Sequence, residues 1–328
     1  MNTPMRMLPG WAACLVATAL ALTVQLAWSQ PYPNKPVKVL VGYSAGGAVD
    51  TVARTLGQSL AVGMGQSFVI ENKPGAGSNI AVKLVIDAAP DGYSLLMAAN
   101  AVAANMALYQ PPPFDAEKDL VAVSLIGRVP VVIAANANAP YDSIGQLIAA
   151  AKAKPGSVSF ATPGNGSTPH LAAELFARAA GISLMHVPYR GGAQAVTDVI
   201  GGQVPLLAMN AMEVKPQVAS GKLKVLAVLS PQRSAIFPDV PTIAESGFKG
   251  FEASVWYALM APAKTPAAIV DRLHAEVQKS LQTAEVRERM TAVGGEVLPG
   301  TRASMVSLLS SERQRYEKLV RDANIKPD

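Results

Sequence analysis

Short apolar runs of strand length alternate along this chain with longer segments whose apolar residues recur at helical spacing. Val37-Lys38-Val39-Leu40-Val41 reads as a strand, and Val49, Val52, Ala53, Leu56 and Leu60 then share one helical face before the strand-like Phe68-Val69-Ile70. A second helix is expected from Ile80 to Ala89, stopped by Pro90-Asp91-Gly92, ahead of a strand at Ser94-Leu95-Leu96-Met97. Strands this apolar must be covered on both faces, so the β-α-β-α-β order predicts a parallel, doubly covered sheet.

The same order returns further on. Strands are expected at Val158-Ser159-Phe160-Ala161, Leu184-Met185-His186-Val187, Val204 to Met209 and Leu223 to Leu229, with helices from His170 to Ala180 and from Ala193 to Ile200. Two α/β units therefore follow one another, joined near Val131-Val132-Ile133 and the loop from Asn136 to Pro140. Phe251 to Tyr257 reads as a further extended stretch. Pro266 to Leu281 and Arg302 to Asp322 read as helices of a C-terminal layer. No repeat of solenoid length is visible.

Half of the 328 residues are hydrophobic, 16% are charged, and there is one cysteine. That excludes a disordered chain, a disulfide scaffold and a cysteine-based zinc module. Much of the apolar content sits at the start, where Arg6 precedes an apolar run from Trp11 to Leu26 and then Ala27-Trp28-Ser29. This has the form of a signal peptide over residues 1–29, cleaved before Gln30, and predicts export. The cut removes Arg6, Cys14 and no acidic residue, which lowers the net charge from +5 to +4 and leaves no cysteine. Without a basic stripe or interleaved aromatics, nucleic acid is not an expected partner.

Ligands of open α/β sheets bind beyond the carboxyl ends of strands, and three such junctions are rich in small residues. They are Gly42-Tyr43-Ser44-Ala45-Gly46-Gly47, Pro74-Gly75-Ala76-Gly77-Ser78-Asn79 and Thr162-Pro163-Gly164-Asn165-Gly166-Ser167-Thr168. Glycine lets backbone N–H groups approach a ligand, and the helix start behind each loop is a positive pole, so these are candidate anion cradles. Neither the nucleotide P-loop pattern nor the third glycine of a dinucleotide loop is present. Gly42-Tyr43-Ser44-Ala45-Gly46 also matches the Gly-x-Ser-x-Gly nucleophile elbow, with Ser44 as nucleophile, His170, His186 or His274 as base and Asp115 or Asp198 as orienter. Against catalysis, this is the first strand after the export signal, so the upstream strands of a hydrolase sheet are missing. The histidines lack metal-ligand spacing, and no metal or cofactor is expected. His170 either faces a ligand or caps local backbone, His186 reads as a core residue, and Asp50 reads as a brace for the first loop. Trp256 and Tyr257 either wall a cleft or pack in the core.

Eight motifs occur in order: Pro33-Asn34-Lys35-Pro36, Gly46-Gly47-Ala48-Val49-Asp50, Glu71-Asn72-Lys73-Pro74-Gly75-Ala76-Gly77, Pro90-Asp91-Gly92-Tyr93, Thr162-Pro163-Gly164-Asn165-Gly166-Ser167, Val187-Pro188-Tyr189-Arg190-Gly191, Phe237-Pro238-Asp239-Val240-Pro241-Thr242 and Ala261-Pro262-Ala263-Lys264-Thr265-Pro266. From about Pro33 to Asp328 the chain resembles the substrate-binding proteins of tripartite tricarboxylate transporters, also called the Bug family of extracytoplasmic solute receptors. The resemblance implies a two-lobed α/β periplasmic binding protein of the flytrap type (type II), with two doubly wound sheets. Lobe 1 would comprise residues 30–131 and 257–328, and lobe 2 residues 132–256. It implies a monomeric, non-enzymatic receptor for a small carboxylate that delivers its ligand to the permease subunits of a tripartite transporter, or to a membrane sensor kinase. By position, ligand contacts fall to Ser44, Ala45, Gly46 and Gly47 in the first loop and Thr162, Gly164, Asn165, Gly166, Ser167 and Thr168 in the third, with Asn100, Tyr189 and Asp198 lining the cleft. The family's usual Pro-Gly-Gly is here Ala45-Gly46-Gly47, which implies a less rigid first loop.

Overall fold

The computed structural model describes residues 32–189, 191–323 and 325–326; the export segment expected at 1–29 lies outside them. β1 (Val37–Val41) and β3 (Ser94–Ala98) are largely buried, and β1 pairs in parallel with β3 on one side and β2 (Phe68–Asn72) on the other. α1 (Ala48–Met64) and α2 (Asn79–Ile86) are the connections between them. The expected β-α-β-α-β unit is present. The second unit repeats the arrangement around β5 (Ser159–Thr162), which pairs in parallel with β6 (Met185–Pro188) and β7 (Leu206–Asn210). Its helices include α6 (Thr168–Ala180) and α7 (Gly192–Ile200), which lie close to their expected positions.

The join between the units is more extensive than the sequence showed. Following α3 (Ala101–Leu108) and the short α4 (Ala116–Asp119), β4 runs from Leu120 to Asn136 as one strand of 17 residues. Nearly every side chain on it is buried, since both faces are covered along its length. Its first part, Leu120 to Pro130, pairs antiparallel with β9 (Ser254–Pro262), and β9 continues to β3. Its second part, Val131 to Asn136, pairs with β7 and with β8 (Leu223–Val228). Pro130 stands where the partners change. Proline has no N–H to give a ladder, so a strand accepts it where pairing is interrupted. The whole forms one curled, ten-stranded sheet whose two parts share β4. From sequence this stretch is read only as the join of the two units near Val131-Val132-Ile133, and the long strand is not expected.

Further helices complete the cover: α5 (Ile144–Ala153), α8 (Ala211–Ala219), α9 (Ala267–Ser280), α10 (Ala284–Ala292) and α11 (Arg302–Ala323). α3 is buried all round, which explains why it lacks an amphipathic pattern. It lies in a core with Leu125, Trp256, Met305, Leu309 and Tyr316, so the C-terminal helix α11 seals the first unit. A separate core of Val132, Ala161, Val199, Leu207, Met209 and Val214 holds the second. The two-residue β10 (Glu296–Val297) passes so close to β4 that a Cβ on Gly127 would stand 2.3 Å from the Glu296 carbonyl oxygen. Gly127 is glycine for that reason.

Candidate ligand-binding site

The first loop follows β1 and is shaped by a single buried carboxylate. Asp50, 3% exposed in the first turn of α1, accepts at Oδ2 from the Gly46 N–H (2.9 Å) and from Arg54 Nε (2.9 Å). Its Oδ1 accepts from Asn72 Nδ2 at 2.9 Å, and Asn72 also donates to the Tyr43 carbonyl at 3.0 Å. The loop is thus tied down through Gly46 although Ala45 replaces the usual proline. Burial alone would raise the Asp50 pKa, but the bonds from Arg54, Gly46 and Asn72 outweigh it and hold the pKa below the ordinary value.

A carboxylate whose pKa is lowered on folding adds stability that is complete above its unfolded value and is lost as pH falls through the folded one. Asp50→Asn is therefore expected to cost about 1–2 kcal/mol at neutral pH. The gap to wild type should close below about pH 4. Urea titrations across that range read the difference directly.

The second loop fits against the first and the third. A Cβ on Gly42 would stand 1.8 Å from Ser78 Oγ, so the first two loops approach as closely as a glycine permits. Ala76 and Ser78 both have positive φ (47° and 81°), the strained region that non-glycine residues occupy mainly at functional sites. Asn105 of α3 donates to the Gly77 carbonyl (2.8 Å) and to Asn79 Oδ1 (2.6 Å). A Cβ on Gly166 of the third loop would stand 2.6 Å from Leu108 and 3.9 Å from Asn105 Oδ1.

In the third loop the hydrogen bonds are mostly internal. The Gly166 N–H donates to His170 Nδ1 (3.1 Å), and the Ser167 hydroxyl caps α6 by accepting from the His170 N–H (3.4 Å). The His170 and His186 rings stack at 3.8 Å between centroids. Burial and the neighbouring His186 pull the His170 pKa down to about 3, so the ring is neutral and its Nδ1 accepts. Of the two roles left open for His170, this is backbone capping.

Helix starts divide into two kinds. α5, α6 and α10 are capped by the hydroxyls of Ser143, Ser167 and Thr283. α1, α7 and α8, preceded by Gly47, Gly191 and Asn210, have no side-chain cap. These three converge on Glu213, in the first turn of α8. Its Oε1 lies 3.8 Å from the position of a Cβ on Gly47 and 3.4 Å from that of a Cβ on Gly192. Two helix starts without a side-chain cap, one from each α/β unit, therefore approach the same carboxyl oxygen, and an uncapped helix start is where an anion can be held.

The sequence model of the tripartite tricarboxylate transporter family receptor matches residues 52–325 of this chain. The chain belongs to that family. The BugT protein of Bordetella pertussis is 37% identical over 297 residues, which covers 90% of this chain and 91% of BugT. The solved structure of the periplasmic binding protein BugD superposes with a TM-score of 0.82 at 34% identity, covering 90% of this chain and 100% of BugD. The R. palustris protein Rpa4515, solved with adipate, superposes with a TM-score of 0.84 at 32% identity, covering 90% of this chain and 100% of that protein.

In this tripartite tricarboxylate transporter receptor the residues singled out from sequence have different surroundings. Ser44, Ala45, Gly46 and Gly47 lie together on the first loop, with Ser44 to Gly46 exposed. Thr162, Gly164, Asn165, Gly166, Ser167 and Thr168 lie together on the third. Tyr189 joins them: its N–H donates to the Thr162 carbonyl, and its hydroxyl donates to Asp198 Oδ2 of α7 at 2.8 Å. Asn100 is turned elsewhere. Its side chain lies within 3.1 Å of Glu312, Tyr316 and the Ser254 carbonyl, and it accepts from the Trp256 N–H, so it anchors α11 to β9. Trp256 itself donates to Glu312 and belongs to the core. Sequence reasoning did not pick out Gly191, Gly192, Asn210 or Glu213 as site residues. The signal for the first two was visible, because Gly191-Gly192 repeats the Gly46-Gly47 pair at a strand-to-helix junction. Among the described residues no group of three or more His, Cys, Asp and Glu side chains is placed to hold a metal.

Proposed function

We propose that this chain is a periplasmic receptor that captures a small carboxylate and delivers it to the permease subunits of a tripartite tricarboxylate-type transporter. The observation that carries the reading is the pair of uncapped helix starts, α1 at Gly47 and α7 at Gly192, facing one point. Family membership and the adipate held by the R. palustris relative support the same ligand class. Each charge-assisted bond from a backbone N–H contributes about 1.5–3 kcal/mol net, so a few of them give micromolar affinity without a salt bridge.

The ligand contacts assigned to the first loop (Ser44 to Gly47) and to the third (Thr162 and Gly164 to Thr168) belong to this reading, with Tyr189 and Asp198 beside them. The change of partners along β4 supports a division into lobe 1 (30–131 and 257–328) and lobe 2 (132–256) that hinges on β4 and on the chain leading into β9. Closure about such a hinge buries the ligand and alters the surface offered to the transporter. The receptor acts as an exported monomer, released by cleavage after residue 29. Among the described residues no helix is long and apolar enough to cross a membrane.

A non-catalytic role is supported by the histidines, each of which is bonded away from Ser44: His170 to Gly166, His186 to Thr162 and His274 to the Val123 carbonyl. The test is a thermal-shift series with adipate, succinate, citrate, acidic amino acids and aromatic acids. A ligand at 100 times its Kd adds about 2.7 kcal/mol. For a chain of this size that raises Tm by roughly 5–10 °C. No shift with any carboxylate, together with fluorophosphonate labelling of Ser44, would overturn the reading in favour of a hydrolase.

A further inference from the structure

The two chain segments that join the α/β units change partners at the same level. On β4, Pro130 pairs with Ser254 of β9, whereas Val131 pairs with Asn210 of β7 and its carbonyl accepts from the Leu229 N–H at 2.8 Å. On the returning chain, the Ala253 N–H donates to the Leu229 carbonyl at 2.8 Å, whereas the Ser254 carbonyl accepts from Asn100 Nδ2 at 3.1 Å. Leu229 follows β8 in the second unit, and Asn100 stands at the head of α3 in the first. Backbone bonding therefore passes from one unit to the other at two peptide links, 130–131 and 253–254. A rotation between the units is absorbed where neighbouring residues are held by different bodies.

Beyond the second link, the chain is fixed to the first unit. The buried Glu312 of α11 accepts from Asn100 Nδ2 (3.0 Å) and from Trp256 Nε1 (3.3 Å), and Asn100 Oδ1 accepts from the Trp256 N–H (2.9 Å). Before that link stands Glu252, and two arginines of the first unit reach it. Arg128 of β4 donates to Glu252 Oε1 at 2.8 Å, and Arg315 of α11 donates to the Glu252 carbonyl. Arg128 also pairs with Glu296 of β10, and Arg315 with Glu312 at 3.2 Å, so each arginine has a second partner that keeps it with the first unit. The loops of the two units touch in this arrangement, Gly166 against Leu108 and Gly47 against Glu213. The grip on Glu252 is thus a feature of the shut cleft.

We propose that Glu252 is a positioning residue: Arg128 and Arg315 strap it across the hinge, and the strap biases the receptor toward its closed form. This rests on the two-lobed receptor reading and moves its turning points to 130–131 and 253–254. Opening at those links carries Glu252 away with the second unit while both arginines stay behind. A ligand that binds the closed form loses affinity by the factor by which the closed population falls. An ion pair as exposed as this one, with side chains 21% and 48% accessible, is worth roughly a two- to fivefold change and is weakened by salt.

Glu252→Gln tests it, because the amide keeps the size and an acceptor oxygen, removes the charge and leaves Arg128 its bond to Glu296. In calorimetric titrations with adipate, succinate and citrate, the variant should bind the tightest of the three roughly two- to fivefold more weakly than wild type at about 0.01 M salt. The difference should shrink at about 0.5 M salt, which separates the strap from any salt dependence of the ligand itself. Small-angle scattering of the ligand-free proteins at low salt should give the variant the larger radius of gyration, and saturation with ligand should bring the two together. Trp256 is the single tryptophan of residues 30–328, so its unchanged emission would show that the bonds to Glu312 survive. Equal affinity and equal radius in variant and wild type would overturn the proposal. A deficit that is the same at both salt concentrations, or that comes with a red-shifted Trp256 emission, also counts against it, since the charge of Glu252 is then not what holds the hinge. If none of the three acids binds wild type, the carboxylate-receptor reading fails, and the scattering of the ligand-free proteins still decides the strap.

Discussion

Gly47→Ser is expected to weaken binding of the carboxylate that most stabilises the wild type by about 10–100-fold, with Tm unchanged or slightly raised. Gly47 has φ −77° and ψ 174°, the extended conformation of a helix N-cap, and no side chain caps α1. A serine there fits the backbone, and its Cβ would meet nothing closer than the Ser44 carbonyl oxygen at 3.6 Å. Its hydroxyl would accept one of the free N–H groups of the first turn, stabilising the helix by a few tenths of a kcal/mol. The same N–H is then withdrawn from the ligand. A cap that strengthens the fold thus weakens the receptor, and a thermal melt beside a titration separates the two effects. Unchanged affinity in the variant would show that the start of α1 does not hold the anion.

Gly42→Ala is expected to act in the opposite sense, on stability first. An added Cβ would fall 1.8 Å from Ser78 Oγ, 2.5 Å from Ser78 Cβ and 2.9 Å from Ser78 Cα. Moving the hydroxyl aside is not enough, so the first and second loops must separate. Overpacking of this kind costs about 1–3 kcal/mol. For a chain of this size each kcal/mol lowers Tm by roughly 2–4 °C. Ser78→Gly removes two of the three clashing atoms and relieves the positive φ of 81° at that position. The double variant should therefore recover much of the loss, and a double-mutant cycle in urea measures the coupling. Additive losses would mean that the two loops do not depend on this contact.

Several parts of the site were legible before any coordinates. The glycine loops announced themselves by composition, since a strand-to-helix junction free of side chains is where backbone can reach a ligand. Asp50 was legible as a brace because a carboxylate four residues after Gly46 lies within reach of its N–H once α1 forms. Loop composition did not tell which helix starts remain open. Ser167 and Ser143 close theirs with their own hydroxyls, while Gly47 and Gly191 leave theirs without a side-chain cap. The third loop looked as favourable as the first, yet His170 and Ser167 already take up part of its hydrogen bonding.

Local order was within the reach of the sequence, because apolar periodicity and glycine or proline punctuation act over a few residues. They place β1 to β3, the helices α1 and α7, and the loops between them. The sequence also determined the family, through motifs that stand in fixed order along the chain. Only the tertiary structure decided how distant segments share one space. It carried β4 past Pro130 through both parts of the sheet, set Asn100 against Glu312 instead of among the loops, and brought Gly47 and Gly192 to the Glu213 carboxyl group. These last three residues are up to 166 positions apart. No local pattern encodes their meeting, because it depends on the register of β4 with β7 and β9, and register is settled by packing both faces of a sheet at once.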